Sequence, residues 1–384
     1  MRVILLTGKG GVGKTSHAVA TALGAASHGH RVFLLSTDPA HSLGDALDMR
    51  IGARPVPVTE GVVAQEVSAL QELDRSWSEI QSYLRQLLRE ETDEVLAEEL
   101  LVFPGLEELV ALRAIREVEA TAEFDVCVVD CAPTGSTLRM LRFPDALRIF
   151  MENFFDLERR GARLIRPLLD RIQAGVLPGE GFFDAFERLY EDVDAVRHIL
   201  LDEDRTTARL VVNPARVVVQ ETRRSFAYLS LYGLATDAVL VNRVLPVDAS
   251  AGYFARWAER ERTELAEIAA SFPIPAFHAP LYPREVRGLE DLSVLARDLY
   301  GERDPGELFT RVRPIRLRKH AGRPRLEIDL PGARKEELEI QVRGTDLVIR
   351  VRDATRVIAL PGSVAGRTVG AARLQDGVLV VDFG

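Results

Sequence analysis

The sequence predicts an α/β protein with a mostly parallel sheet and an inserted helical subdomain, followed by a smaller all-β sandwich. Over residues 1–310, short apolar runs alternate with helical patterns, as in parallel sheets with crossover helices. Two stretches inside this part, 68–122 and 137–205, are almost wholly helical in pattern. Residues 326–384 hold only short alternating strands between Gly and Pro turns, which is typical of a sandwich.

Length and composition narrow the classes of function. The chain has 384 residues, enough for two domains, and 47% of them are hydrophobic, which excludes wholesale disorder. A formal net charge of −9 argues against a dedicated nucleic-acid binder. No apolar run approaches the roughly 18 residues of a membrane span, so we expect at most transient membrane contact. With only two cysteines, the chain fits a reducing compartment and a cytoplasmic location.

The first connection between a strand and a helix carries a phosphate-binding loop. The letters GKGGVGKT match G-x-x-x-x-G-K-[ST], and they lie between the apolar run Arg2–Thr7 and a helix predicted from Lys14 to about His28. Backbone N–H groups of such a loop bind anions, Lys14 is expected to reach the β- and γ-phosphates, and the Thr15 hydroxyl is expected to ligate Mg²⁺. The predicted binding residues are Gly8, Lys9, Gly10, Gly11, Val12, Gly13, Lys14, Thr15 and Ser16.

Two aspartates follow later strands of the same predicted sheet. Asp38 comes after the strand at 31–36, and Asp130 after the strand at 124–129. Loops at the carboxyl ends of parallel strands face the ligand, so Asp38 could orient or deprotonate an attacking water, while Asp130 could hold Mg²⁺ directly or through water. The alternative for Asp38 is an ordinary helix N-cap, and a packing or capping role is favoured for His41.

These motifs together resemble one family of nucleotide-hydrolysing proteins. The segments STDPAHSLGDAL at 36–47 and DCAPTGSTLRML at 130–141 resemble the two switch regions of the arsenite-pump and tail-anchored-protein-targeting ATPases. The loop KGGVGKT resembles their deviant Walker A loop. The resemblance implies a P-loop NTPase fold, Mg²⁺-dependent hydrolysis of ATP and a homodimer. It further implies that Asp38 is the catalytic aspartate, that Asp130 lies on the Mg²⁺ side, and that Lys9 reaches the partner's nucleotide.

Later segments extend the resemblance over residues 1–310. It implies that Asn242, in VLVNRVLP, hydrogen-bonds adenine and that Pro280, in APLYPREVRG, contacts it. Residues 220–224, with the letters QETRR, resemble an element beside the family's dimer interface. Ordinary capping of strand ends is the alternative for each segment.

The candidate functions differ in what the helical subdomain would bind. In targeting members it forms a groove for a hydrophobic helix, and here Phe150, Phe154 and Leu157 share one helix face, with a second apolar stripe between Trp77 and Leu88. Packing of these helices on the sheet is the favoured alternative. The function expected from the resemblance is a dimeric ATPase that binds or targets hydrophobic segments of membrane proteins. The alternatives are an ATPase switch that regulates a partner protein, and a subunit for anion or arsenite transport.

The cysteines weigh against two roles known in the family. Cys127 and Cys131 are separated by three residues, whereas the zinc that joins dimers of eukaryotic targeting members needs a Cys-x-x-Cys pair. Two cysteines, one of them in a predicted buried strand, also cannot copy the thiolate cluster that senses arsenite in the pump. No zinc is therefore expected, and an arsenite-pump role is disfavoured.

The last part of the chain resembles a second family. LEIDLPG at 326–332 and ARLQDGVL at 372–379 resemble the α-crystallin domain of small heat-shock proteins. The resemblance implies a β-sandwich that docks or contacts clients, with a passive stabilising cap as the alternative. Residues 311–325 hold seven Lys and Arg and no acidic residue. They predict a basic linker, either solvated or docked on the acidic main domain.

Overall fold

The structure is a computed structural model with two units, an α/β unit followed by a β-sandwich. The predicted fold class is confirmed. Single residues are described at 135, 138, 141, 191, 364 and 367, and the continuous described ranges are 1–38, 42–67, 106–131, 194–249, 252–320, 322–343, 346–360 and 369–384.

Among the described residues, eight strands form the sheet of the first unit. In chain order they are β1 (Arg2–Thr7), β2 (Val32–Ser36), β3 (Val56–Thr59), β4 (Val62–Glu66), β5 (Val126–Asp130), β6 (Thr206–Val212), β7 (Thr236–Val244) and β8 (Ala276–Pro280). Their order across the sheet is β3-β4-β2-β5-β1-β6-β7-β8. All neighbours pair in parallel except β3 and β4, an antiparallel hairpin at one edge that the apolar pattern does not predict.

Helices cover both faces of this sheet. They are α1 (Lys14–Ser27), α2 (Ser42–Leu47), α3 (Leu106–Thr121), α4 (Arg216–Tyr232), α5 (Ala255–Ser271) and α6 (Gly288–Tyr300). Side chains of β1 alternate between two cores, with Val3 and Leu5 in one and Ile4 and Leu6 in the other. Burial on both faces explains why the sheet strands are unbroken apolar runs. None of the helices among the described residues is long and apolar enough to cross a membrane.

Most of the predicted helical subdomain lies outside the described residues. Of 68–122 and 137–205, the structure describes chiefly α3 and the helical residues 194–201. The helical pattern predicted for 68–122 is confirmed where the structure describes it, by α3. His41, the residues Phe150, Phe154 and Leu157, and the stripe between Trp77 and Leu88 all lie outside the described residues.

The second unit is the predicted sandwich, built from two antiparallel sheets. Its strands are β9 (Ile315–His320), β10 (Arg323–Asp329), β11 (Leu338–Arg343), β12 (Asp346–Val351), β13 (Ala354–Ala359), β14 (Val369–Gln375) and β15 (Val378–Phe383). One sheet has the order β14-β15-β10-β9 and the other β11-β12-β13. Buried residues of both sheets, among them Ile328, Ile349 and Leu379, form one core. Two residues of α4, Tyr228 and Leu231, belong to that same core, so the units pack against each other.

The predicted basic linker at 311–325 is wrong over most of its length. Residues from Ile315 onward form β9 and the start of β10, which pair in an antiparallel hairpin. Two arginines of this hairpin are matched by acids on neighbouring strands: Arg316 lies 2.5 Å from Asp329, and Arg325 lies 2.6 Å from Asp382. Because these partners are distant in sequence, the local composition suggests an unpaired basic run.

The residues just before β9 contact the first unit. Arg311 lies 3.0 Å from Asp204, and Arg313 lies 2.5 Å from Glu203. Both acids belong to the turn before β6. These ion pairs join the start of the basic run to the α/β unit.

Candidate nucleotide site

The phosphate-binding loop is packed so closely that two of its positions accept only glycine. A Cβ atom on Gly8 would lie 2.4 Å from the carbonyl oxygen of Val211 in β6. Gly13, directly before α1, has φ +97°, and a Cβ there would lie 2.5 Å from the Asn242 amide nitrogen. The loop is therefore held between the carboxyl ends of β1, β6 and β7. Its N–H groups and the N-terminus of the 14-residue helix α1 are the groups that would form the predicted anion site.

Lys14, Thr15 and Ser16 form the first turn of α1. Lys14 is buried, with 6% of its surface exposed, and its Nζ lies 3.5 Å from the carbonyl oxygen of Lys9. The Thr15 hydroxyl lies 2.8 Å from the hydroxyl of Ser42, the first residue of α2. This hydrogen bond links the phosphate-binding helix to the 36–47 segment.

Asp130 ends β5 in the middle of the sheet, beside Leu6 of β1 and Ser36 of β2. The residue is fully buried, and neither of its carboxylate oxygens has a hydrogen-bond partner in the described structure. Burial raises the pKa of Asp130 to about 7, with Asp38 and Glu66 adding to the shift and Thr15 and Lys14 opposing it.

A divalent cation beside a phosphate would fit this arrangement. An unpartnered buried carboxylate costs free energy unless a positive charge or a donor meets it. Thr15 and Asp130 are the residues that would hold Mg²⁺. The described residues contain no cluster of three or more His, Cys, Asp or Glu able to hold a metal ion alone. Phosphate oxygens and water would complete the coordination, as is usual for Mg²⁺.

Asp38 lies two residues beyond the end of β2, on the same edge of the sheet as Asp130. Its charge contributes to the raised pKa of Asp130, which places the two carboxylates in one electrostatic environment. Helix α2 begins at Ser42, four residues later, whereas an N-cap directly precedes the first helical residue. This spacing weighs against the N-cap alternative for Asp38.

The residues predicted to contact adenine lie at the ends of neighbouring strands. Asn242 is on β7 and Pro280 ends β8, where it pairs with Val244. The Asn242 side chain donates to the carbonyl oxygen of Val12 at 2.8 Å and accepts from the Arg243 N–H at 2.9 Å. In the described structure Asn242 therefore supports the phosphate-binding loop. Its contact with adenine stays a prediction.

Two buried residues at the site, Glu66 and His17, are not predicted from the sequence. Glu66 ends β4, and its Oε1 accepts hydrogen bonds from the N–H groups of Leu43 at 3.0 Å and Gly44 at 3.1 Å, which anchors the start of α2. His17 in α1 contacts the Gly13 carbonyl oxygen through Nδ1 at 2.9 Å, and burial lowers its pKa to about 4. The neutral ring therefore supports the loop near pH 7. The signal for Glu66 is an acidic residue at the end of a predicted strand, as at Asp130.

Lys9 differs from Lys14 in both exposure and partner. Its side chain is 38% exposed, and its Nζ lies 3.0 Å from Oε2 of Glu221 in α4. Glu221 belongs to the QETRR element. Thus Lys9 faces outward and is held by a side-chain ion pair.

Both cysteines are buried and form no disulfide. Burial raises the pKa of the Cys127 thiol in β5 to about 12, so it stays protonated near neutral pH. Cys131 lies directly after β5 with 3% of its surface exposed. Thiolate chemistry at Cys127 is disfavoured by this burial.

Two parts of the chain match known protein families. Residues 1–301 match the family described as anion-transporting ATPase. The chain belongs to the anion-transporting ATPase family. It is an ATPase and therefore uses a nucleotide, which agrees with the loop geometry. Residues 321–383 match an HSP20-like domain found in ArsA, so the small heat-shock resemblance of the sandwich is confirmed.

Members of the anion-transporting ATPase family resemble the chain along its length. A protein of Prosthecochloris vibrioformis, provisionally named an arsenical pump-driving ATPase, is 35% identical over 389 residues, covering 100% of this chain and 96% of the relative. A similarly named protein of Aquifex aeolicus is 32% identical, with 99% of both chains covered. A protein of Malassezia globosa named ATPase GET3 is 29% identical over 308 residues, covering 78% of this chain and 91% of that protein.

Proposed function

We propose that this ATPase is a homodimeric, Mg²⁺-dependent nucleotide switch of the cytoplasm that binds or targets hydrophobic segments of membrane proteins. The observation that carries the nucleotide chemistry is the buried carboxylate of Asp130, which lacks a hydrogen-bond partner and lies near Thr15 and Lys14 at the phosphate-binding loop. Bound Mg²⁺ would supply charge stabilisation to the phosphates of ATP.

Different residues of this chain then have separate roles in hydrolysis. Backbone N–H groups of the loop and the Lys14 ammonium bind the phosphates and offset negative charge in the transition state. Asp38 orients the water that attacks the γ-phosphate, since a carboxylate can accept a hydrogen bond from that water. Thr15 and Asp130 hold the cation.

Two observations support a homodimer through the carboxyl edge of the sheet. Lys9 is partly exposed, and because its ion pair with Glu221 is exposed as well, the ammonium can leave that pair for a nucleotide on a partner. The same edge also exposes large apolar side chains on the segments after β6, β7 and β8, which favours an interface. These side chains are Val217, Val247, Tyr253, Phe254, Trp257 and Leu281.

Contacts between the loop and α2 support the switch. Thr15 contacts Ser42, and Glu66 anchors the next two residues of α2 to β4. A nucleotide that displaces Thr15 would therefore act on α2 and on the segment carrying Asp38. Changes of this kind convert the phosphate state of a nucleotide into a structural change.

The choice of client rests on resemblance. The switch sequences resemble those of tail-anchored-protein-targeting ATPases, and one relative is named ATPase GET3. Sensing of arsenite by a thiolate cluster is disfavoured, because Cys127 is buried and its pKa is raised to about 12. A hydrophobic helix is therefore the favoured client over an arsenite-dependent role.

A trap experiment tests the client. The Asp38→Asn chain is incubated with ATP and Mg²⁺ and with a detergent-free transmembrane peptide, and the retained peptide is measured after size exclusion. We expect a soluble complex of dimer and peptide with ATP, and much less with ADP. A polar helical peptide of equal length is the control. If the ATP-bound dimer retains no transmembrane peptide, the client proposal is wrong, while hydrolysis by the wild-type chain tests the ATPase chemistry separately.

A further inference from the structure

Helix α4 connects the phosphate-binding loop with the C-terminal sandwich. Its 17 residues begin just after β6, and Glu221 lies in its second turn. Tyr228 and Tyr232 follow seven and eleven positions later, which places all three residues on one face of the helix. Glu221 contacts Lys9 of the loop, whereas Tyr228 and Tyr232 contact the sandwich. One helix face therefore touches both parts.

The contact at the loop is easily broken. Lys9 and Glu221 lie 3.0 Å apart with side chains 38% and 34% exposed. An ion pair this exposed can bias an equilibrium by roughly fivefold at most. Since the proposed function requires Lys9 to reach a partner's nucleotide, Lys9 must leave Glu221 during the cycle. The inference drawn here rests on that function.

The contact at the sandwich is extensive and largely buried. The Tyr228 hydroxyl donates to the Asp353 carboxylate, and the Tyr232 hydroxyl donates to the Thr355 carbonyl oxygen at 3.0 Å. Arg356 donates back to the Tyr232 carbonyl oxygen at 3.3 Å, and its guanidinium lies 5.6 Å from the Tyr232 ring centre. Both tyrosines are buried. This half of α4 is therefore joined to Asp353, in the turn between β12 and β13, and to Thr355 and Arg356 at the start of β13.

The helix between the two contacts is itself rigid enough to transmit a shift. All its residues from Ser225 to Tyr232 are buried, and the Ser225 hydroxyl donates to the Glu221 carbonyl oxygen at 3.0 Å. Close-packed side chains transmit displacement rather than absorb it. Glu221 and Tyr228, about two turns apart, are thus connected by this closely packed stretch of helix.

We infer that Glu221 is a positioning residue that holds Lys9 in the nucleotide-free chain, and that release of Lys9 is passed through α4 to the sandwich. The sandwich then responds to the state of the nucleotide site. This role differs from a passive cap, because a cap would not change with the nucleotide.

Hydrogen exchange of the full chain tests the inference at residues 351–357, which include the turn that contacts Tyr228. The Asp38→Asn background prevents loss of ATP. We expect ATP and Mg²⁺ to speed amide exchange at 351–357 by about twofold to fivefold, the range an exposed ion pair allows. Glu221→Gln should produce the same increase without nucleotide, and Lys9→Met, which breaks the pair from the other side, should match it.

A control variant breaks a different ion pair on the same helix. Glu267→Gln removes the partner of Arg223, 2.9 Å away, and should leave exchange at 351–357 unchanged. The inference is wrong if ATP binds to the Asp38→Asn chain without altering this exchange, or if Glu221→Gln and Lys9→Met leave it unaltered. In either case the ATPase proposal stands, because ATP binding is measured in the same samples. If ATP does not bind at all, both proposals fail.

Discussion

The hydroxyls of Thr15 and Ser42 lie 2.8 Å apart, which joins the first turn of α1 to the first residue of α2. Thr15 follows the phosphate-binding loop, and Ser42 follows the segment that holds Asp38. The expected ligand of Mg²⁺ and the expected catalytic segment are therefore in direct contact. Changes at either element should be measurable at the other.

Removing the Glu66 carboxyl should loosen α2. Glu66→Ala deletes the acceptor for the Leu43 and Gly44 N–H groups, and loss of a buried acceptor costs about 1–3 kcal/mol. We expect lower stability in denaturant and a lower kcat for ATP hydrolysis. Glu66→Gln keeps an acceptor oxygen and should restore most of both. Equal loss in Ala and Gln variants would show that the hydrogen bonds are not the cause.

Asp130 should make the stability of the metal-free, nucleotide-free chain depend on pH. Burial raises its pKa from 3.8 to about 7, so above pH 4 the folded chain keeps a proton that the unfolded chain releases. The stability this group contributes is complete below pH 4 and is lost as pH rises through 7. The Asn side chain of Asp130→Asn cannot titrate. The free energy of unfolding of this variant should therefore rise relative to that of the wild type by about 1.4 kcal/mol for each pH unit between those limits.

Chemical denaturation from pH 5 to pH 8, with EDTA and without nucleotide, measures this difference. The advantage of Asp130→Asn over wild type should grow steadily up to pH 7 and then level off. The variant should also lose the stabilisation that Mg²⁺ with ATP gives the wild type. A constant difference at every pH would contradict the role of burial.

Asp237 should be essential for the stability of the α/β unit. The buried carboxylate lies 3.1 Å from the Arg2 guanidinium and 3.2 Å from that of Arg209. Asp237→Asn leaves the fully buried Arg209 and the partly buried Arg2 without their counter-charge, and breaking a buried pair costs about 3–5 kcal/mol. We expect a large drop in the denaturation midpoint.

The matched control for Asp237 is Asp125→Asn. Asp125 lies 2.8 Å from Arg31, but both side chains are well exposed. The free energy of unfolding should therefore fall by about 1 kcal/mol or less. Equal losses at the two sites would contradict the importance of burial at Asp237.

Gly13→Ala should disturb the loop before any nucleotide binds. The alanine would need φ +97° and would place Cβ 2.5 Å from the Asn242 amide nitrogen. We expect the free energy of unfolding of the nucleotide-free chain to fall by about 1–3 kcal/mol. Gly10→Ala is the control, since nothing lies within 4 Å of a Cβ there. Similar denaturation midpoints for the two variants would contradict the close packing of the loop.

The sequence predicts those elements whose signal is local. The run Arg2–Thr7, the glycine-rich loop and helix α1 are predictable because burial and backbone conformation are fixed by neighbouring residues. The strand β9 is missed because its basic residues are matched by acids such as Asp329, which are brought close only by the folded sheet.

The same reason explains the residues missed at the site. The position of Asp130 at a strand end is visible in the sequence, but its lack of a partner depends on packing between β1 and β2. The Glu66 carboxylate accepts a hydrogen bond from the Gly44 N–H, and the two residues are 22 positions apart in the sequence. The ion pair of Lys9 with Glu221 joins residues that are far apart in the sequence, so no local pattern predicts it.

The role of Asp38 in ATP hydrolysis is tested most sharply by comparing ATP binding with ATP turnover in the Asp38→Asn chain at the same Mg²⁺ concentration. The substitution removes the carboxylate proposed to orient the attacking water and leaves the phosphate-binding loop intact. We expect the Kd for ATP to stay within about threefold of wild type, while kcat falls by about 100-fold or more. Wild-type turnover by Asp38→Asn would show that Asp38 does not orient the attacking water.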